Sequence, residues 1–165
     1  MDQISENIEC TGTVDFTIEY RNSNGKSEQR IVKNTVLRGG KIALIKILTK
    51  YTDSALDSYI SSMIFGQGGS DSGTVRFVNS DRTGLFNQIP VASGSSKPVV
   101  SSINPDNPTQ AVFTSVLTYD DCNGFPINEM ALQLADGTLY SMVTFGDLVK
   151  SNLMQITFNW RINLV

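Results

Sequence analysis

The chain contains no histidine. That removes the commonest general base, the Ser-His and Cys-His nucleophile pairs, and the usual zinc and non-haem iron ligands together. What remains for chemistry is carboxylates, thiols and aromatic rings. Asp120-Asp121 precedes Cys122-Asn123-Gly124, with Glu129 beyond, which faintly resembles an oxygen-rich calcium loop. Such a loop needs ligands at alternate positions before its glycine; Tyr119 and Cys122 interrupt that spacing, so the stretch reads as a solvated turn. Gly66-Gln67-Gly68-Gly69, followed by Gly73, invites comparison with phosphate cradles. It lacks both the lysine-hydroxyl pair of a P-loop and the helix that opens at a dinucleotide fingerprint, and reads as a loop between strands. A pair of carboxylates for glycoside hydrolysis stays open, because that separation is spatial. Most acidic residues, however, stand at turns (Asp53, Asp71, Asp81, Asp106, Asp136), where short side chains cap backbone groups. The sequence therefore predicts no catalytic residue, no cofactor and no metal site, and leaves a histidine-free hydrolase using Asp120, Asp121 and Glu129 as the weakest alternative. Trp160 and the tyrosines could stack on sugars. Trp160 lies on an apolar parity and is expected in the core; Tyr51 and Tyr59 are expected at the surface.

The elements that must position these groups are mostly strands. In MQITFNWRINLV, residues 154 to 165, Met154, Ile156, Phe158, Trp160, Ile162 and Leu164 share one parity and polar residues share the other, the period of a half-buried strand. TGTVDFTIEY, residues 11 to 20, repeats the pattern. An Asn-Gly turn in RNSNGK then predicts an N-terminal hairpin over 11–37. In KIALIKILTK, Ile42, Ile45 and Leu48, with Leu44, fit a helical stripe. This predicts one short helix around 40–50, packed on a sheet by that stripe and separated from the preceding strand by Gly39-Gly40. SYISSMIFG and AVFTSVLTY read as strands, and NGFPINEMALQLADGTLYSMVTF as a hairpin about Ala135-Asp136-Gly137. Residues 67–106, rich in Gly, Ser, Asn and Pro, read as a long polar loop region. With about seven or eight strands in view, the spacing predicts an all-β protein, an antiparallel β-sandwich of jelly-roll-like type.

At 165 residues the chain suits a single domain over 1–165. Hydrophobic residues make up 40% and charged residues 18%, and the net charge is -3; the surface should be neutral and polar, without the basic footprint that nucleic acid or an anionic membrane requires. The two cysteines, Cys10 and Cys122, lack metal-type spacing and are expected as reduced, partly buried thiols. MDQISENIEC has no signal-peptide pattern and no apolar run approaches the ~20 residues of a membrane span, so synthesis in a cytosol is expected.

The order of these elements resembles a family of small β-sandwich modules of bacteriophage virions, in tail-fibre, tail-collar and appendage or head-fibre base proteins. The resemblance runs over residues 34–165. It is carried by Asn34-Thr35-Val36-Leu37-Arg38-Gly39-Gly40 opening the helix; by ISSMIFGQGG from Ile60; by Arg82-Thr83-Gly84-Leu85-Phe86-Asn87; by Asn107 to Phe113; and by Asn123-Gly124, Ile127-Asn128-Glu129 and Leu132. Asp136-Gly137-Thr138-Leu139-Tyr140, Phe145, Lys150 and the closing MQITFNWRINLV complete it. The sequence departs from the family pattern at Met130-Ala131, where a glycine usually follows the glutamate, and in the long polar insert after the Gly-rich loop. Residues 1–33 have no counterpart.

The resemblance implies a virion structural protein, assembled in the host cytoplasm, without catalytic residues. It implies association with itself, as a homotrimer or higher ring, and with other virion proteins (portal, tail, capsid or fibre); from the charge balance, neither nucleic acid nor membrane is expected as a partner. A surface with few charges suits closely packed copies. The interface or structural residues this singles out are Gly66, Gly68, Gly69, Arg82, Glu129, Lys150 and Trp160, with Glu129 and Lys150 read as orienting residues at strand ends or as subunit contacts. The competing function is a carbohydrate-binding module that recognises a host surface glycan through residues 67–106.

Overall fold

The computed structural model describes residues 9–21, 27–49 and 58–165. Strands β1 (Cys10–Tyr20), β2 (Ser27–Lys33) and β3 (Thr35–Val36) precede helix α1 (Arg38–Leu48). Then come β4 (Ile60–Gly66), the short β5 (Ser70–Asp71) and β6 (Thr74–Val75), β7 (Ser96–Pro98) and β8 (Val100–Asn104). The long strands β9 (Asn107–Leu117), β10 (Pro126–Leu134), β11 (Leu139–Val149) and β12 (Met154–Leu164) follow. They form two five-stranded antiparallel sheets, ordered β2-β1-β12-β9-β8 and β3-β11-β10-β4-β7, with β5–β6 as a separate ribbon. The protein is an all-β sandwich with one short helix.

The alternating segments build the first sheet. β12 lies at its centre, with β1 on one side from Cys10↔Leu164 to Tyr20↔Met154 and β9 on the other. Both parities then have a destination: Val14, Phe16, Ile18, Ile156, Phe158, Trp160 and Ile162 are buried between the sheets, while Thr13, Asp15, Thr17, Thr157, Asn159 and Arg161 stay half-exposed on the outer face. From the second sheet Met63, Phe65, Met130, Leu132, Val143 and Phe145 meet them. Phe158 bridges the layers, with ring centroids 5.4 Å from Phe16 and 4.9 Å from Phe65, within the range where aromatic pairs add to simple burial.

The second sheet is covered on its outer face as well. Ile64, Ala131, Met142 and Leu139 pack there with Leu37 and Val78, and Leu85 and Phe86 close over them. β10 accordingly buries side chains of both parities, and its burial is nearly continuous.

Three expectations are corrected. The helix spans 38–48, and Gly39 and Gly40 lie inside its first turn instead of before it. Its sheet-facing side is Gly40 and Ala43, with Leu44 half-buried, whereas Ile42, Ile45 and Leu48 are exposed. The reason is distance. A Cβ on Gly40 would collide with the carbonyl oxygen of Tyr140, and one on Gly39 would lie 2.9 Å from that of Leu139; the helix sits so close to β11 that only its smallest residues fit between. Residues 67–106 are likewise more than a loop, since β7 extends the second sheet and β8 the first. The N-terminal hairpin ends at Lys33, because β3 leaves it to pair with β11 at Val36↔Ser141. The Asn24-Gly25 turn, Tyr51 and Asp53 fall outside the described residues.

Candidate functional site

Five of the seven singled-out residues (Gly66, Gly68, Gly69, Arg82 and Glu129) gather in one cluster with the Glu129 carboxylate at its centre. Glu129 is fully buried within β10, not at a strand end. Its Oε1 accepts the backbone N–H groups of Gly68 at 2.9 Å and Asn87 at 2.7 Å, and its Oε2 accepts that of Phe86 at 2.8 Å. The neighbouring Asn128 holds the other side of the same loop. Its Oδ1 accepts from the N–H of Gly69 at 2.7 Å, and its Nδ2 donates to the carbonyl of Gln67 at 3.3 Å and to Asp147 Oδ1 at 2.9 Å.

Adjacent residues of a regular strand point to opposite faces. Asn128 and Glu129 reach the same loop because the β10–β11 register shifts between Ile127 and Glu129; a bulge re-aims side chains in this way. The glycines are required by the same contact. A Cβ on Gly66 would lie 2.7 Å from the carbonyl oxygen of Asn87, and one on Gly68 would lie 2.7 Å from the Asn87 nitrogen. On Gly69 it would lie 2.8 Å from the Glu129 Cβ. Arg82 closes the outside. Its guanidinium stacks 3.6 Å from the Phe86 ring centroid and its Nε donates to the Gly84 carbonyl at 3.1 Å. Chemically, a carboxylate occupied by three main-chain donors is a pin that ties residues 66–69 to 85–87 over the second sheet.

Lys150 stands apart, just after β11, and is also fully buried. Its Nζ donates to the Ser151 carbonyl at 2.9 Å and to Asn123 Oδ1 at 3.3 Å. Burial holds this amine below the ordinary lysine range, against the opposing pull of Asp121, Cys122 and Asp120. Beside it Cys122 is pushed up to about 11 by burial and by the Asp121 charge, so it is inert as a nucleophile at neutral pH. Asp121 accepts from Lys97 Nζ at 2.5 Å and from the N–H and hydroxyl of Thr118, both at 2.7 Å. Burial works against its ionisation, but these hydrogen bonds outweigh it and hold the carboxyl below its ordinary range. The stretch is the turn expected, with Asp120, Asn123 and Gly124 exposed, but Asp121 and Cys122 are buried in it and Asp121 locks it to β7. Glu129 and Lys150 are both fully buried within this chain, so neither side chain presents surface for the subunit contact expected of them.

Trp160 lies in the core between the sheets, fully buried, and Tyr59 is exposed. Cys10 and Cys122 are both free thiols, and Cys10 Sγ lies 3.2 Å from the Tyr140 hydroxyl. Sequence reasoning missed Asn128, the Lys97–Asp121 pair and an apolar hollow of about 410 Å³ at one end of the sandwich, lined by Leu44, Ile47, Tyr59, Ile103, Phe113 and Ile162. Among the described residues no group of three or more acidic or cysteine side chains is arranged to hold a metal ion, and no helix is long and apolar enough to cross a membrane. Comparison with protein-family models, with characterised proteins and with solved structures finds no match to this chain.

Proposed function

We propose that this chain is a structural component of a bacteriophage particle, working by self-association and by docking to other virion proteins. The observation that carries this reading is the outer face of the first sheet. It is a broad array of half-exposed Thr, Asn and Gln side chains already bonded to one another: Thr114 Oγ1 donates to Asn159 Oδ1 at 2.9 Å and Gln110 Nε2 to Asn163 Oδ1 at 2.6 Å. The charges at its middle, Arg161 and Asp15, are paired at 2.8 Å. Side chains ordered in advance lose little entropy on contact, and a face whose central charges are paired has less to desolvate there. The resemblance of residues 34–165 to phage β-sandwich modules supports the same reading, and so does the absence of histidine from the sequence.

Size-exclusion chromatography with light scattering tests it. The expected result is an oligomer of fixed stoichiometry that persists on dilution; a monomer at high concentration overturns the proposal. One observation favours a second reading. Phe77 is 86% exposed next to Arg76, whose N–H donates to the Gly69 carbonyl and whose carbonyl accepts from Thr144 Oγ1, and an exposed ring on a fixed loop suits stacking on a sugar. A monomer whose binding to a glycan array is lost in Phe77→Ala would establish that carbohydrate-binding alternative.

A further inference from the structure

The two sheets have four lateral edges, and three of them are protected against pairing with another chain. At one edge of the first sheet, β2 carries Glu28, Arg30 and Lys33. In the second sheet, β3 is only two residues long, and β7 is three residues long with Lys97 and Pro98 in it. Charge, brevity and proline are the usual means by which an edge is blocked. The remaining edge, β8, reads Val-Ser-Ser-Ile-Asn. It has no charged side chain, it is hydrogen-bonded to β9 alone among the described residues, and its Val100 and Ile103 are 75% and 69% exposed.

We infer that β8 is a contact strand between two copies of this chain, pairing antiparallel with β8 of the second copy about a two-fold axis at Ser102. This rests on the self-association reading above and names one surface through which it acts. A two-fold axis normal to the sheet keeps each side chain on its own face, so directly opposed residues must share parity. The register that pairs all five residues sets Ser102 against Ser102, Ser101 against Ile103 and Val100 against Asn104. No like charges meet, and the small serine at the axis lets the main chains approach to the ordinary strand spacing of about 4.8 Å. The same full-length pairing of β2 with its copy would set Arg30 against Arg30 at the axis. Joined at β8, the two five-stranded sheets become one continuous sheet. Ser101 and Ile103 both border the apolar hollow, so the join also sets the two hollows side by side and covers the exposed Ile103 of each copy.

The test uses the full chain, its Ser102→Lys variant and two cysteine variants. Ser102 is exposed, so the lysine leaves the fold intact, which circular dichroism and Tm check. Two ammonium groups then meet at the axis, and sedimentation equilibrium should show the contact weakened at least about tenfold, with an even-numbered assembly falling to half its mass. Under mild oxidation Ser102→Cys should form a disulfide-linked dimer quickly and Ser101→Cys should not, because directly opposed Cβ atoms lie about 4.5–5.5 Å apart and diagonal ones about 7–8 Å. An oligomer whose mass Ser102→Lys leaves unchanged, with no cross-link at residue 102, refutes the β8 contact while self-association stands. A wild-type chain that is monomeric at high concentration removes both.

Discussion

Glu129→Gln isolates the pin at the centre of the molecule. The substitution keeps the side chain's size and removes its charge. An amide has one acceptor oxygen: placed at the Oε1 position it retains the Gly68 and Asn87 bonds, and its NH₂ group is then turned against the N–H of Phe86. A hydrogen bond to a charged group contributes about 1.5–3 kcal/mol, and a shielded N–H left without an acceptor costs about 1–3 kcal/mol. The two surviving bonds also weaken, since they are no longer charge-assisted. Burying an amide instead of a carboxylate recovers part of this, and the net loss is about 3 kcal/mol. For a chain of this size that corresponds to a Tm lower by about 6–12 °C. The effect should be local as well as global: amide exchange at Gly68, Phe86 and Asn87 should accelerate by about a hundredfold if opening of the loop becomes easier by the same amount. Glu129→Asp, shorter by one methylene, should fail to bridge the two segments at all. A Gln variant within about 0.5 kcal/mol of wild type, with unchanged exchange at Phe86 and Asn87, would mean that the carboxylate does not hold the loop.

Gly40→Ala should lower Tm by a few degrees, because overpacking of about 1–3 kcal/mol against the Tyr140 carbonyl exceeds the roughly 1 kcal/mol gained in helix propensity; a rise in Tm would show that the helix is free to lift from β11. Asp121 has a carboxyl held below its unfolded value of 3.8, so the stability it contributes is fully present above about pH 4 and is lost as pH falls through the lower folded value. Denaturant titrations of Asp121→Asn should therefore show a loss at pH 7 that shrinks in strong acid, and equal losses at both would contradict the lock between Asp121 and Lys97.

The long strands could be read from the sequence because period-2 alternation is a local signal, and β1 and β12 alternate over their whole length. The helix was assigned the wrong face for an instructive reason. Hydrophobic periodicity weighs bulky residues, so Ile42, Ile45 and Leu48 outvoted Gly39, Gly40 and Ala43; at the close approach seen here the absence of a side chain decides which face packs. Strands β5 to β8 are two to five residues long and framed by Ser, Gly and Pro, too short to show any period, so the sequence pattern there is that of a loop. The site was half visible. Gly66, Gly68, Gly69, Arg82 and Glu129 were singled out together, but their meeting was hidden, because the partners of Glu129 are main-chain amides 42 to 61 residues away that leave no mark in the sequence. A usable sign was the glutamate itself, the one charged residue in β10, where a charge survives burial only if something satisfies it.

The placement of β12 between β1 and β9 governs the order in which the molecule can be made. β1 leaves the ribosome well before its long partner, residues 154–164, which follows nearly the whole described length later. Until that strand arrives, the half-built first sheet has a gap at its middle, and β1 and β9 each offer an apolar ribbon with nothing beside it. Closure is then a late, long-range step, of the kind that slows folding and exposes newly made chains to chaperones and to mispairing with one another. The first sheet would therefore present its complete outer face only after β12 has been seated between β1 and β9.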